Sequence, residues 1–344
     1  MSHLRPARPS GRLWLTAWAL ACGLAAPAWA AAHCPNAQPL QATAPGVWVW
    51  EGQAADIAPQ NRGHVVSNVV LIAPAGLGAA PTVTVVDPGP SLLHGQALAQ
   101  AVRCQWGTGV SRVLNSHAHA ENVLGNSAFA SSPSDLHPAN LWATEDTRQA
   151  MAQRCPGCLE HITQTAGADA LRGTHIVLPT HTLAPGQTLR LTDRPWMALE
   201  LRDAHTHSDL ALWQADTRVL IAAGLVYRDR LPELAQGTVQ GWIAALDQLT
   251  ALRPRTVIGQ SVGGIDTLHA TRQYLCELTQ AVWSAMDRGW SASEAESLAL
   301  PAYAHWAGYA QRQGFNAQRA WRELEPWWIE GRKPPACSGP DVGR

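Results

Sequence analysis

Charge is scarce in this 344-residue chain: charged residues make up 15%, and Lys+Arg (25) nearly balances Asp+Glu (26). No basic stripe stands out, which excludes nucleic acid as the expected partner. Internal repeats and low-complexity linkers are lacking too, so the chain reads as one large domain with an appendage. Phenylalanine (2) and tyrosine (4) are rare beside sixteen tryptophans, a bias without a structural account. The apolar run from Leu13 to Ala26 is about 14 residues, short of the roughly 20 that cross a bilayer. What is plentiful is glycine (28), proline (24) and apolar side chain (46%). That mixture suits a loop-rich α/β enzyme and not a helix bundle.

The N-terminal segment reads as an export signal. Arg5, Arg8 and Arg12 precede the apolar run, Pro27 ends it, and Ala28-Trp29-Ala30 offers a small-x-small cleavage site. Residues 1–30 are therefore expected to be removed, placing a periplasmic or secreted protein with no membrane span after cleavage. Beyond Cys22 six cysteines remain: Cys34, Cys104, Cys155, Cys158, Cys276 and Cys337. An even number in an exported chain suggests disulfides, and six cysteines allow 15 pairings. Cys155-Pro156-Gly157-Cys158 is the one local pair, and a structural bridge between Cys155 and Cys158 is the expectation. A second CxxC for a zinc knuckle is missing.

Strand signals fall at 65–72, 82–86, 110–114, 141–143, 188–191, 197–203, 210–214, 219–223 and 256–259. Helices are expected at 92–105 behind Ser91 as cap, at 145–154 and at 238–252. The stretch 155–187 has little periodicity and reads as a loop-rich insertion. After Asp266 the pattern becomes helical, with Trp283, Trp290, Trp306 and Trp321 along it. The resulting division is 36–265 for the main domain, 266–332 for a helical extension and 333–344 for an irregular tail.

The segment carrying chemistry is Asn115-Ser116-His117-Ala118-His119-Ala120-Glu121-Asn122, directly after a strand. Histidines at i and i+2 in a loop can turn toward one ion, and neutral imidazole suits zinc, iron, nickel or copper. A third comes from His205-Thr206-His207-Ser208-Asp209-Leu210 between two strands, where His205 and His207 compete.

The order of these segments resembles the metallo-β-lactamase superfamily. Thr84-Val85-Val86-Asp87-Pro88-Gly89 is similar to its first strand and turn, 117–122 to HxHxDH, and 204–210 to its third-histidine motif. Leu220–Gly224 and Val257–Gln260 are similar to the strands that end in a bridging aspartate and a last histidine. The resemblance implies a four-layer αββα sandwich, an α/β (α+β) fold, with a C-terminal helical extension. It implies metal ligands His117, His119 and His205, with Asp87 and Asp209 orienting the ligand loops. The departures are Glu121 and Asn122 after HxHx, Gly224 for the bridging aspartate and Gln260 for the last histidine. A second metal site is thus degraded, and one zinc per chain is expected. Three histidines and an open position make a mononuclear zinc site that lowers the pKa of bound water to near 7. Glu121 is then the candidate catalytic base.

Within the superfamily, Arg154–Leu159 and Asn316–Glu325 resemble the quinoprotein relay system zinc metallohydrolases. That resemblance implies a periplasmic hydrolase of an unknown small molecule, linked to a PQQ-dependent quinoprotein system. The alternative is a non-catalytic metal-binding or accessory protein derived from the same fold.

Overall fold

Period-two alternation of apolar residues builds two facing sheets. The first runs in sequence order through β1 (Gln41–Ala44), β2 (Val47–Trp50), β3 (Asn68–Ala73), β4 (Thr82–Val86), β5 (Arg112–Leu114), β6 (Asn140–Ala143) and β7 (His181–Thr182). Its first four strands are antiparallel, and β4 through β7 are parallel. The second sheet comprises β8 (Thr188–Arg190), β9 (Pro195–Arg202), β10 (Ser208–Gln214), β11 (Val219–Ile221), β12 (Thr256–Ile258) and β13 (Val262–Gly263). It is antiparallel except for the β11–β12 pair. The computed structural model describes residues 34, 37–75, 79–130, 139–234, 236–333 and 337. The expected signal at 1–30, with Cys22, and most of the 333–344 tail lie outside them.

Alternate residues of each strand enter different cores. Val69 and Leu71 of β3 meet Leu210 and Leu212 of β10 between the sheets. Val70, Val83 and Val85 face the other way, onto Leu98 and Val102 of helix α1 (Leu92–Trp106). Ala211, Trp213 and Leu220 turn from the second sheet toward the helices behind it. Each fully buried aliphatic side chain contributes roughly 1.5–3 kcal/mol. The layers are thus helix, sheet, sheet, helix.

The helices follow their capping chemistry. Ser91 Oγ accepts from the His94 N–H (3.2 Å), and Gly107 ends α1 at φ +67°. A short α2 (Ala120–Val123) follows the first histidine pair. Thr144 caps α3 (Glu145–Ala166) and Thr238 caps α4 (Val239–Ala251). Then come α5 (Ile265–Asp287) and α6 (Tyr309–Ile329), and α4, α5 and α6 together cover the second sheet. No described helix is long and apolar enough to cross a membrane.

Two expectations need correction. Residues 155–166 are not loop: α3 continues through Pro156 and Gly157 to Ala166. Tertiary burial of Cys155, Ile162 and Ala166 outweighs the proline, whose cost is the loss of one backbone hydrogen bond. The expected Cys155–Cys158 bridge is not formed, and both thiols are free. Helical i,i+3 positions hold their Cβ atoms about 5–6 Å apart, beyond the roughly 3.5–4.5 Å a disulfide spans. The bridge that does form joins Cys34 to Cys104, across 70 residues, and ties the N-terminal segment to α1.

Candidate metal centre

The site is built at the ends of strands. β4 ends at Asp87, which adopts a left-handed conformation (φ +54°). Asp87 Oδ1 accepts from the Ser116 N–H (2.8 Å), and Oδ2 accepts from Ser116 Oγ (2.6 Å) and Asn122 Nδ2 (2.9 Å). Asn68 Nδ2 donates to its carbonyl (2.5 Å). Burial pushes the Asp87 carboxyl up to about 6, against the hydrogen bonds from Ser116 and Asn122. Asp87 therefore holds the ligand loop from below. Asn115 and Asn126 pin the same loop by reciprocal side-chain bonds of 2.9 and 2.8 Å.

These contacts fix the imidazoles. Ser116 Oγ, whose proton goes to Asp87, lies 2.7 Å from His117 Nδ1 and accepts from it. His117 Nε2 is left with a bare lone pair. His119 Nε2 donates to Gln236 Oε1 (3.2 Å), which leaves Nδ1 bare. That Nδ1 lies 3.0 Å from His205 Nε2. His205 sits between β9 and β10 in a loop held by Asp209, which accepts from Thr206 N (2.8 Å) and Thr206 Oγ1 (3.0 Å). Burial raises the Asp209 carboxyl to about 6 as well. His207, the rival of His205, points outward and pairs with Asp203 at 2.6 Å.

The three rings converge. Their centroids are 4.6–4.9 Å apart, and one ligand atom from each lies within 4.8 Å of the others. Burial first, then the neighbouring imidazoles, holds the pKa of His117 and of His205 well below the ordinary histidine value. Both are neutral donors, the state a metal needs. Tetrahedral zinc with bonds of ~2.1 Å separates its nitrogens by ~3.4 Å. The 3.0 Å gap between His119 and His205 is within a few tenths of that, so the residues fit one ion.

No protein-family model and no curated protein matches the sequence. Solved structures do. A β-lactamase domain protein from Burkholderia ambifaria superposes with a TM-score of 0.59 at 15% identity, over 85% of this chain and 88% of that one. A metallo-β-lactamase from Pontibacter korlensis gives 0.53 at 15%, over 69% and 98%. The metallo-β-lactamase FIM-1 from Pseudomonas aeruginosa, in its mono-zinc form, gives 0.52 at 15%, over 71% and 97%. The chain has the metallo-β-lactamase fold.

Gly224, Asn122 and Gln260, which the sequence resemblance sets at second-metal positions, lie close to these histidines or to Asp87 or are buried nearby. Gly224 lies in the turn after β11, and a Cβ there would come within 2.5 Å of His117 Cε1 and 2.7 Å of His205 Cδ2. A side chain there would have to displace the two histidine rings. Asn122 spends its amide nitrogen on Asp87, and Gln260 donates to the Gln53 carbonyl (3.2 Å). Asn122 Oδ1 and Gln260 Oε1 are buried without a hydrogen-bond partner.

Glu121 stands in the first turn of α2 and opens, with His119, onto a cavity of about 790 Å³. Its charge is felt at Asp87, Cys158 and Tyr227. Asp56, Ile57, Arg230, Glu233, Arg312 and Phe315 line the same cavity. Sequence reading missed three contributors. Tyr227 is buried with its hydroxyl 3.4 Å from His205 Nε2, and no local motif marks it. Gln236 fixes His119 from 117 positions away. Helix α6 is the third. Asn316 accepts from Leu234 N (3.0 Å) and donates to the Pro232 carbonyl (2.7 Å), and Arg319 donates to the Leu234 carbonyl (3.1 Å). Glu323 accepts from the N–H groups of Val239 (2.7 Å) and Gln240 (3.1 Å). Their i, i+3, i+7 spacing puts them on one helix face, which clasps the segment carrying Arg230 and Gln236. The 316–325 stretch singled out in the sequence is this clasp.

Proposed function

We propose that this protein is an exported, single-zinc hydrolase of a small, partly apolar molecule. The observation that carries the reading is three converging imidazoles, one of which, His119, opens with Glu121 onto a cavity that Asp56 and Glu233 also line. His117, His119 and His205 would hold the ion. Zinc on three imidazoles supplies Lewis acidity and lowers the pKa of water toward neutral.

The chain's own groups divide the remaining work. Glu121, two residues along the chain from His119 on the same cavity as Asp56 and Glu233, takes up the proton released when water attacks. The Tyr227 hydroxyl, whose partner is the His205 nitrogen that a metal would claim, is left to donate to a substrate oxygen. Ile57 and Phe315 offer apolar contact, and Arg230 and Arg312 line the same cavity. The Arg230 Nε and Nη1 atoms are buried without partners. Export rests on the N-terminal segment and agrees with the Cys34–Cys104 bridge. Service to a PQQ-dependent quinoprotein system rests on the sequence resemblance of 154–159 and 316–325.

The packing of His117 and His205 onto Gly224 favours a second reading, a metal-binding accessory protein without turnover. Elemental analysis of the mature protein, followed by a screen of ester, lactone, amide and thioester substrates, separates the two. Zinc at about one per chain with turnover lost in Glu121→Gln supports the hydrolase. Zinc without turnover on any class supports the accessory role, and folded protein without metal overturns both.

A further inference from the structure

We propose that Cys276 and Cys337 form a second disulfide, which fastens the C-terminal tail to helix α5. Cys276 is buried on the inner face of α5, and Cys337 packs against the same apolar cluster. Both thiols are free, and they lie close enough to perturb each other's titration. The bridge forms when the two sulfurs close to the ~2.05 Å of an S–S bond. Arg272 stands beside them: its Nη1 donates to Cys276 Sγ (3.5 Å), and Asp247 grips its guanidinium through Nε (2.5 Å) and Nη2 (3.2 Å).

The other two cysteines do not compete. Cys155 is buried against Ala118, Val123 and Met151, and Cys158 lies on the metal-centre cavity, with both fixed in α3. Burial pushes the Cys155 thiol up to about 12, which disfavours the reactive thiolate.

The chemistry requires a disulfide donor, either a thiol–disulfide exchange protein or oxidised glutathione. The hydrogen bond from Cys276 and the nearby Arg272 guanidinium lower the Cys337 thiol, so Cys337 is the attacking thiolate. It attacks one donor sulfur and expels a thiolate. The Cys276 sulfur then displaces the second donor thiol from that mixed disulfide. Two thiols become one S–S bond, and two electrons and two protons leave as two donor thiols.

The consequence reaches the metal centre. The bridge encloses α6, whose Asn316, Arg319 and Glu323 clasp the segment that carries Gln236. It thereby restrains the helix that steadies His119.

The test is disulfide mapping of the full-length protein from an oxidising compartment. The protein is denatured, treated with iodoacetamide without reductant, digested and read by mass spectrometry. The expected result is two linked peptides, Cys34–Cys104 and Cys276–Cys337, with Cys155 and Cys158 alkylated. Alkylation of both Cys276 and Cys337, or linkage of Cys337 to another cysteine, overturns the proposal. In a Cys34→Ser/Cys104→Ser variant, reductant should still lower the melting temperature by roughly 10 °C. An unchanged melting temperature in that variant counts against the bridge. If that variant fails to fold, the peptide map of the unaltered protein decides.

Discussion

Asn316 accepts a hydrogen bond from the backbone N–H of Leu234 at 3.0 Å, across 82 positions of sequence. Its amide also donates to the Pro232 carbonyl and to the Tyr274 hydroxyl (2.8 Å), so all three contacts are buried. Asn316→Ala leaves these partners unsatisfied and is expected to cost about 2–4 kcal/mol, read from urea unfolding. Zinc affinity should fall with it, because Gln236 loses its fixed position. Gln236→Ala isolates that part: roughly 10–100-fold weaker zinc binding with nearly unchanged stability of the zinc-free protein.

Gly224 should tolerate nothing larger than itself. Gly224→Ala forces a Cβ into the rings of His117 and His205, with an expected loss of about 1–3 kcal/mol and weakened zinc binding. Gly224→Asp should not produce a second metal. Elemental analysis showing two ions per chain in Gly224→Asp would refute this account of the site.

Acid should destabilise the zinc-free protein through its buried histidines. Burial lowers His64 from 6.5 to about 4. A depressed histidine contributes stability that is whole above pH 6.5 and lost as pH falls toward 4, up to ~3 kcal/mol. His94, His117 and His205 shift in the same direction. Asp87 and Asp209, raised to about 6, act oppositely and gain stability as pH falls below 6. The histidines outnumber them. His64→Phe preserves the ring contacts with Trp50 and His94 at 4.6 Å and should reduce the stability lost between pH 7 and 5.

Tyr227→Phe removes a hydroxyl and little else. Zinc content should stay at one per chain, while kcat/KM on whatever substrate is found drops roughly 10²–10³-fold, the range for losing one oxyanion donor. An equal drop in zinc content would instead make Tyr227 a structural support of His205.

Local chemistry made much of this legible in sequence. Ser91 announces its helix because capping depends on adjacent residues, while Thr144 and Thr238 emerge as caps in the structure. The 117–122 loop announces two of the three clustered histidines, because a metal would demand histidines at fixed spacing. What stayed hidden depends on distant partners. Pro156 and Gly157 read as breakers until the burial of Cys155 and Ile162 is known. Tyr227 and Gln236 have no pattern of their own, since only the fold brings them to His205 and His119. The Cys34–Cys104 pairing is a fact of topology, because the spacing of cysteines along a chain does not encode which of them meet.

The clasp on α6 also sets a timetable. His117 and His119 leave the ribosome long before the helix that steadies their surroundings, and chains fold from the N-terminal end as they emerge. The surroundings of the histidine pair stay incomplete until α6 has emerged and docked. A metal held by these histidines would then be captured late in assembly, in whichever compartment α6 docks.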